Sequence, residues 1–294
     1  MAFCLKKGEP LGPGIHRVYR GEAIAALKET TKQKDADAAK QVHEIRKHLK
    51  KMRALLRVLR NTIGERRFQT ENRRLRDTGR QLSASRDAEV RLRTFDALRE
   101  QFCADHDDFP GIRSALAEDA ASHTGDAPGA LKELAETLEL ANQKAASLDA
   151  KSFGSDELRT ALKSAYQKGR AAWREAREDP VHDKIHEFRK RAKDLWYDVR
   201  ILQRACPPVL KLQAEHLKKL TTVLGESLDL TLLRSAVSDS TPDGKRLCNL
   251  IQDRQERLQC SALDLGRLFF AETPKEFAKR ISGYCPENRC GQRG

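Results

Sequence analysis

The sequence predicts an all-α protein made of two similar antiparallel helical bundles related by a pseudo-two-fold axis. Apolar residues recur at helical spacing almost throughout the 294 residues, without a convincing stretch of strict alternation. In addition, residues 42–47 (VHEIRK) reappear as residues 185–190 (IHEFRK), an offset of 143. A long repeat of this kind indicates that the chain is built from duplicated halves.

A second pair of matching segments follows in the same order. The pair consists of Leu82-x2-Ser85-x-Asp87-x2-Val90 and Leu224-x2-Ser227-x-Asp229-x2-Leu232, at an offset of 142. Two copies of so long a unit favour two bundles over a solenoid of short repeats. We therefore assign residues 12–150 to the first half, residues 151–282 to the second half and residues 283–294 to a C-terminal tail.

Breakers and caps set the predicted helix boundaries. A first helix follows the breaker at residues 12–14 (GPG), and a segment rich in Gly, Pro, Asp and Ser at 107–128 is predicted as a loop or hairpin insertion with one short helix. The remaining predicted helices cover residues 37–63, 68–82, 87–102, 112–120, 130–148, 154–176, 181–205, 208–224, 228–237, 244–270 and 274–282.

Composition limits the function classes. Charged residues make up 34% of the chain, aromatic residues 5%, and the mean hydropathy is −0.68. No apolar run approaches the ~18 residues of a membrane span, and the N-terminus has no apolar signal-peptide core, so we expect neither membrane insertion nor secretion. The 56 Lys and Arg residues exceed the 43 Asp and Glu residues by 13, which favours polyanionic partners.

The seven cysteines are scattered and odd in number, a pattern typical of a reducing cytosol. The one close pair, Cys285 and Cys290, lacks the two further ligands that a zinc site needs. We therefore expect a cytoplasmic protein without a metal site.

The helix predicted over residues 37–63 has an apolar face beside a basic one. The apolar face consists of Ile45, Leu49, Met52, Leu56, Leu59 and Ile63. The basic stripe consists of His43, Arg46, Lys47, Lys50, Arg53, Arg57 and Arg60. The second copy carries an equivalent stripe of His186, Arg189, Lys190, Lys193 and Arg200.

Like charges lie one turn apart along the first stripe, as in Arg46–Lys50 and Arg53–Arg57. Solvated helix faces instead tend to pair opposite charges at this spacing. The concentration of positive charge, repeated in the second copy, therefore favours a bound polyanion over a merely solvated face.

The two stripe histidines, His43 and His186, suit hydrogen bonds to phosphate better than zinc ligation. A zinc site would need further ligands one helical turn from each histidine. We expect Lys and Arg at those positions, and their charge repels a cation. No paired carboxylate or activated nucleophile accompanies them at helical spacing, so we predict no catalytic residue.

At these residues the sequence resembles the CHAD family, the conserved histidine α-helical domain. The resemblance rests on His43-x2-Arg46-x3-Lys50-x2-Arg53 and His186-x2-Arg189-x3-Lys193-x3-Tyr197, supported by Asn72-x3-Arg76-Asp77, Leu82-x3-Arg86-Asp87-x2-Val90, Tyr166-x2-Gly169-Arg170 and Leu224-Gly225-x3-Asp229. These motifs extend over about residues 12–282, and each is weak alone while the ordered duplicate set is fairly specific. The ExExK motif of fused triphosphate-tunnel enzymes is absent from the sequence, so the chain looks like a stand-alone member.

The resemblance implies two antiparallel bundles around a central basic groove or pore that binds inorganic polyphosphate without turning it over and without a cofactor. It also implies a cytoplasmic location with polyphosphate granules, whose components would be further partners. The implied polyphosphate contacts are His43, Arg46, Lys50, Arg53 and Arg57 in the first half, and His186, Arg189 and Lys193 in the second. We add Lys47, Lys190 and Arg200 from the stripes, and Arg76, Arg80, Arg170 and Lys219 as second-rank candidates.

Three residues depart from the family's pattern. Trp196 stands where an Arg is common, Arg200 replaces a Glu, and Asp194 inserts a negative charge where the family often has a basic residue. These departures nearly cancel in charge, and they bear on how symmetric the two halves of the site are.

Three other functions use the same charges. A nucleic-acid module would also present stacking aromatics, and only Trp196 and Tyr197 lie near a basic stripe, so we expect nucleic acid only as a non-specific competitor. An enzyme of polyphosphate would need a Walker-type loop or an acidic two-metal cluster, and neither is evident in the sequence. A scaffold that docks an acidic protein stays open as an alternative.

Overall fold

The computed structural model of the chain describes residues 3–31, 38–81, 86–102, 109–122, 127–205 and 207–285. In these ranges it contains twelve α-helices and no strand, which confirms the all-α prediction. The helices are α1 (Leu11–Thr30), α2 (Ala38–Val58), α3 (Arg60–Ile63), α4 (Glu65–Gln81), α5 (Arg86–Phe102), α6 (Pro110–Ser122), α7 (Ala127–Ala146), α8 (Ser155–Glu178), α9 (His182–Leu202), α10 (Pro207–Arg234), α11 (Pro242–Phe269) and α12 (Pro274–Ser282). None of the described helices combines the length and the apolar character needed to cross a membrane.

The predicted breaker at residues 12–14 lies inside the first turn of α1, not before it. Pro13 is tolerated there because the first backbone N–H groups of a helix have no intrahelical partner. A Cβ atom at Gly12 would lie 1.9 Å from the carbonyl oxygen of Ala150. Glycine is therefore needed for close packing against the segment after α7, rather than for ending a helix.

Two predicted boundaries in longer helices also differ. The helix expected over residues 37–63 is divided into α2 and α3 before Gly64, whose φ of +80° suits glycine. The helices expected at 208–224 and 228–237 form the single helix α10. An interior glycine costs a helix about 1 kcal/mol relative to alanine, but the buried Leu224 and Leu230 on either side of Gly225 hold α10 together.

Other predictions agree with the structure or lie outside its described residues. Helix α12 has the predicted bounds, and the short helix inside the 107–128 insertion is present as α6. Residues 82–85, in the first copy of the second repeated segment, and residues 286–294 of the predicted tail lie outside the described residues. Of the predicted tail, residues 283–285 are described, and Cys285 is buried in the core.

Two hydrophobic clusters form the core. The larger joins α1, α2, α4 and α7 to α8, α9, α12 and parts of α10 and α11. The smaller joins α5 and α6 to the end of α10 and to α11, around Phe95, Leu233 and Ile251. Helices α5 and α6 of the first half thus pack on a hairpin of the second half. The division at residue 150 and the pseudo-two-fold axis stay predictions.

Burial of the apolar faces determines where the basic stripes point. Ile45, Leu49, Met52 and Leu56 of α2 are all buried, as predicted, and so is Leu59 directly after it. Helix α9 buries the equivalent residues Phe188, Ala192, Leu195, Val199 and Leu202. Because α2 packs against both α8 and α9, basic side chains from α2 and α9 border one common space.

Candidate functional site

A groove of about 940 Å³ is lined by side chains from α2, α3, α4, α8 and α9. Ten Lys and Arg side chains line it, against the three carboxyl side chains of Glu65, Asp194 and Asp198. The basic lining residues are Arg46, Lys50, Arg53, Arg57, Arg60, Lys168, Arg189, Lys190, Arg191 and Lys193. The groove is therefore strongly electropositive before any ligand enters it.

Arg53 lies on the α2 wall of the groove. Its Nε donates a hydrogen bond of 3.0 Å to Oδ1 of Asn72 on α4, which fixes the guanidinium. Burial lowers the pKa of Arg53, and the charges of Arg57, Arg76 and Arg80 lower it further. A pKa lowered in this way means that the cation lacks full compensation for its lost solvation, so a nearby anion would stabilise it.

Lys193 lies on the α9 wall. Burial lowers the pKa of Lys193 to about 8, with further contributions from the charges of Arg189, Arg200 and Lys218. Its Nζ lies 3.9 Å from the centroid of the Trp196 ring, a cation–π contact. The ammonium group thus lies between an aromatic face and a group of like charges.

Lys168 on α8 is a third partly enclosed cation. Burial lowers its pKa, and the neighbouring Arg191 and Arg60 lower it further. Lys168 and Arg191 are not among the contacts predicted from the sequence, and Arg60 belongs to the predicted stripe but not to the predicted contacts. The Tyr166-x2-Gly169-Arg170 motif drew attention to Arg170 instead, although Lys168 within the same motif lines the groove.

Two carboxyl groups of α9 lie among these cations. Oδ1 of Asp194 is 2.5 Å from Nη2 of Arg57, and its Oδ2 is 3.8 Å from Nη1 of Arg191. One turn later, Asp198 is buried, and its Oδ1 has no hydrogen-bond partner among the described residues. Burial raises the pKa of Asp198 to about 8, against the opposing charge of Arg57. Asp194 is one of the departures from the family's pattern, whereas no sequence pattern predicted a role for Asp198.

A family model of the CHAD domain matches residues 20–238 of the chain. The chain belongs to the CHAD family. Its fold is similar to the crystal structure of the CHAD domain from the plant Ricinus communis, with a TM-score of 0.61 and 15% identity over 92% of this chain and 95% of that chain. It is also similar to PptA from Streptomyces chartreusis, with a TM-score of 0.55 and 12% identity over 92% of this chain and 100% of that chain. No curated protein matches the chain significantly.

The groove of this CHAD domain brings together eight of the fifteen residues that the sequence analysis selected as polyphosphate contacts. They are Arg46, Lys50, Arg53, Arg57, His186, Arg189, Lys190 and Lys193. The seven that do not line it are His43, Lys47, Arg76, Arg80, Arg170, Arg200 and Lys219. The structure thus joins the cores of the two CHAD histidine motifs in one surface.

The seven other residues lie in different surroundings. Arg76, Arg80 and Arg200 act on the groove through charge, because they lower the pKa values of Arg53 or Lys193. Lys47 is an exposed residue that pairs with Glu44, 2.8 Å away. Arg170 is half-buried on α8, and His43 and Lys219 are exposed on α2 and α10.

His186 has a histidine neighbour that the sequence analysis overlooked. His182 precedes it by one turn, and the two rings stack with centroids 6.3 Å apart. Within the described ranges, no group of three or more His, Cys, Asp or Glu side chains is arranged to hold a metal ion. Cys290 lies outside those ranges, so the Cys285–Cys290 pair is not described.

Proposed function

We propose that this CHAD protein binds inorganic polyphosphate in the groove and does not catalyse its turnover. The observation that carries the proposal is the assembly of ten Lys and Arg side chains around one groove. Three of them, Arg53, Lys168 and Lys193, are held where burial and like charges lower their pKa values. Such an arrangement is costly without an anion and favourable with one.

The two long walls suit a linear polyanion. Arg46, Lys50, Arg53 and Arg57 follow one another at successive turns of α2, and Arg189 and Lys193 do the same on the α9 wall. Arginine gives forked hydrogen bonds to phosphate oxygens, whereas lysine supplies a compact charge. A chain of phosphates would displace its condensed counterions as it engages these groups, in the same way as a nucleic-acid strand.

The state of the groove carboxyl groups supports binding without catalysis. Glu65 pairs with Arg60 at 2.6 Å, and Asp194 pairs with Arg57. These pairs neutralise cations instead of presenting a set of oxygen ligands for the two metal ions that phosphoryl-transfer enzymes use. Polyphosphate binding is also what the family resemblance implies.

The surroundings of Trp196 favour inorganic polyphosphate over single-stranded nucleic acid. The ring is half-buried, and Lys193 and Arg200 lie over it at 3.9 and 5.0 Å from its centroid. Tyr197 is buried. Stacking on exposed aromatic faces contributes much of the affinity of single-strand binders, and these two rings are already covered.

Calorimetric titration at one fixed salt concentration tests the proposal. The ligands are long-chain polyphosphate, tripolyphosphate and a single-stranded RNA of comparable charge. The variant is the double substitution Arg46→Glu/Lys50→Glu. Its matched control is Lys245→Glu/Arg257→Glu, which makes the same change in charge at exposed residues of α11 outside the groove.

We expect tight, length-dependent binding of polyphosphate that RNA does not match, lost in the groove variant and kept in the control. Equal binding of RNA, or an equal loss of affinity in both variants, would contradict the proposal, because it would show that the protein binds polyanions only through its general positive charge.

The proposal includes a cytoplasmic location at polyphosphate granules, which the family resemblance implies. A fluorescent fusion should co-localise with stained granules, and the groove variant should not. Granule association that persists in the groove variant would instead assign targeting to another surface.

A further inference from the structure

We propose that Asp198 is a ligand-contacting residue of the groove that donates a hydrogen bond from its neutral carboxylic acid to a phosphoryl oxygen of the bound polyanion. The inference rests on the proposed function, because it names a contact within the same groove. A carboxyl group in an anion-binding groove would ordinarily oppose binding, and the surroundings of Asp198 reverse that expectation.

Asp198 lines the groove, its side chain is among the buried polar groups, and the residue is 6% exposed. Its Oδ1 has no hydrogen-bond partner among the described residues. Arg57, whose charge acts on the Asp198 carboxyl group, is already engaged by Asp194 at 2.5 Å. Buried polar atoms without a partner are rare in folded proteins, and no donor among the described residues holds this oxygen as an anion, which leaves the carboxyl hydrogen available to a phosphoryl oxygen in the groove.

Burial raises the pKa of Asp198 to about 8, and the charge of Asp194 adds to the rise while that of Arg57 opposes it. The group is therefore neutral at pH 7 and able to donate a hydrogen bond. Above about pH 8 it ionises, loses its donor and repels a phosphate. The contact is thus present at neutral pH and lost as the pH rises.

Other charged groups share this part of the groove and enter the design of the test. They are Arg57 of α2, Lys168 of α8, and Lys193 and Asp194 of α9, which all line the groove, whereas Lys218 of α10 lies outside the lining and acts through its charge on Lys193. Lys193 also has a pKa of about 8, so wild-type affinity falls over the same pH range for a second reason. Only a comparison of variants separates the two contributions.

Asp198 also makes the two halves of the site unequal. At the repeat offset of 143 it corresponds to Leu55, which is buried at 1% exposure. The neutral acid is thus a feature of the α9 wall, without a counterpart at the matching position of α2.

The test measures polyphosphate affinity at about pH 7 and about pH 9 for the wild type, Asp198→Asn and Asp198→Leu. The amide of Asp198→Asn donates at both pH values and has the same shape as the acid. We therefore expect it to match the wild type at pH 7 and to bind about tenfold more tightly than the wild type at pH 9. Asp198→Leu, without a donor, should bind about tenfold more weakly than the wild type at pH 7. Asp264→Asn, an exposed change on α11, is the matched control and should follow the wild type.

The outcomes distinguish this inference from the proposed function. A wild type that does not bind polyphosphate at pH 7 would overturn the function itself. A wild type that binds, with Asp198→Asn showing the same affinity ratio to it at both pH values, would overturn the role of Asp198 alone. Thermal unfolding of each variant shows whether it is folded, and Asp198→Asn decides the matter even if the leucine variant does not fold.

Discussion

The guanidinium of Arg57 and the carboxylate of Asp194 join α2 to α9 across the groove, with Nη2 and Oδ1 2.5 Å apart. Their side chains are 27% and 19% exposed, so the ion pair is only partly screened by solvent. Both residues line the groove. An incoming polyanion therefore competes with an internal carboxylate for Arg57.

Replacing Asp194 with Asn should release this competition. We expect Asp194→Asn to raise polyphosphate affinity about fivefold, because Arg57 then becomes available to the ligand. The same change should lower the free energy of unfolding by about 1 kcal/mol, since a partly buried ion pair is lost. Calorimetry and denaturant unfolding measure the two effects, with Asp264→Asn as control. An affinity that falls or stays constant would show that Arg57 does not reach the ligand.

The salt dependence of binding should report how many groove cations touch phosphate. Each phosphate contact lowers the slope of log K against log salt concentration by about 0.7 for a single-stranded polyanion. Neutralising two cations in Arg46→Gln/Lys50→Gln should therefore make the slope shallower by about 1.4. The control Lys245→Gln/Arg257→Gln should leave the slope unchanged. A shift of equal size in both variants would indicate binding spread over the whole surface.

The absence of a side chain at Gly225 leaves room for the guanidinium of Arg189. A Cβ atom at Gly225 would lie 3.2 Å from Nη2 of Arg189, which lines the groove from α9. Gly225→Val should push the guanidinium aside and lower polyphosphate affinity about threefold, and Gly225→Ala should have a smaller effect.

Gly225→Ala should raise the stability of the protein although it does not raise affinity. Alanine in place of a helical glycine adds about 0.5–1 kcal/mol to the free energy of unfolding. Gly111 has open space around its Cβ position, so Gly111→Ala should leave binding unchanged. If the polyphosphate affinity is also unchanged in Gly225→Val, Arg189 does not contact the ligand.

A buried ion cluster outside the groove predicts acid sensitivity. Glu22 on α1 is 4% exposed, with Oε2 2.5 Å from Nδ1 of His48 and 2.9 Å from Nζ of Lys51. Burial favours the neutral acid, but the hydrogen bonds and the charge of Lys51 outweigh it and hold the pKa of Glu22 below its usual 4.5. A depressed folded-state pKa stabilises the protein above about pH 4.5, and the contribution is lost as the pH falls through the folded value.

Glu22→Gln should therefore be less stable than the wild type by about 3 kcal/mol at neutral pH, because it leaves the partly buried Lys51 without its anion. The gap between the two unfolding free energies should shrink as the pH falls below 4.5. Denaturant unfolding at several pH values measures it, with Glu65→Gln at an exposed pair as control. A gap that stays constant down to pH 3 would show that the Glu22 carboxylate does not carry the effect.

Periodicity predicted those parts of the fold that depend on a single helix. The apolar and basic faces of α2 follow from residue spacing alone, and Ile45 and Leu56 are buried as that spacing requires. The bounds of α12 follow from a local cap, where the hydroxyl of Thr273 accepts a hydrogen bond from the N–H of Glu276.

Features that depend on contacts between helices could not be read from the sequence. Gly12 and Gly225 resemble breakers until their neighbours Ala150 and Arg189 are in place. Likewise, Lys168 belongs to no repeated stripe, and Asp198 has an ordinary helical context in the sequence. Their roles come from the burial and the charges that other helices supply.

A crystal structure of the protein with long-chain polyphosphate tests the central claim most directly. The account predicts phosphoryl groups in the groove within hydrogen-bonding distance of Arg46 and Lys50 on one wall and of Arg189 and Lys193 on the other. Phosphate bound on the outer surface, for example at Lys47 or Lys219, with the groove empty would contradict it.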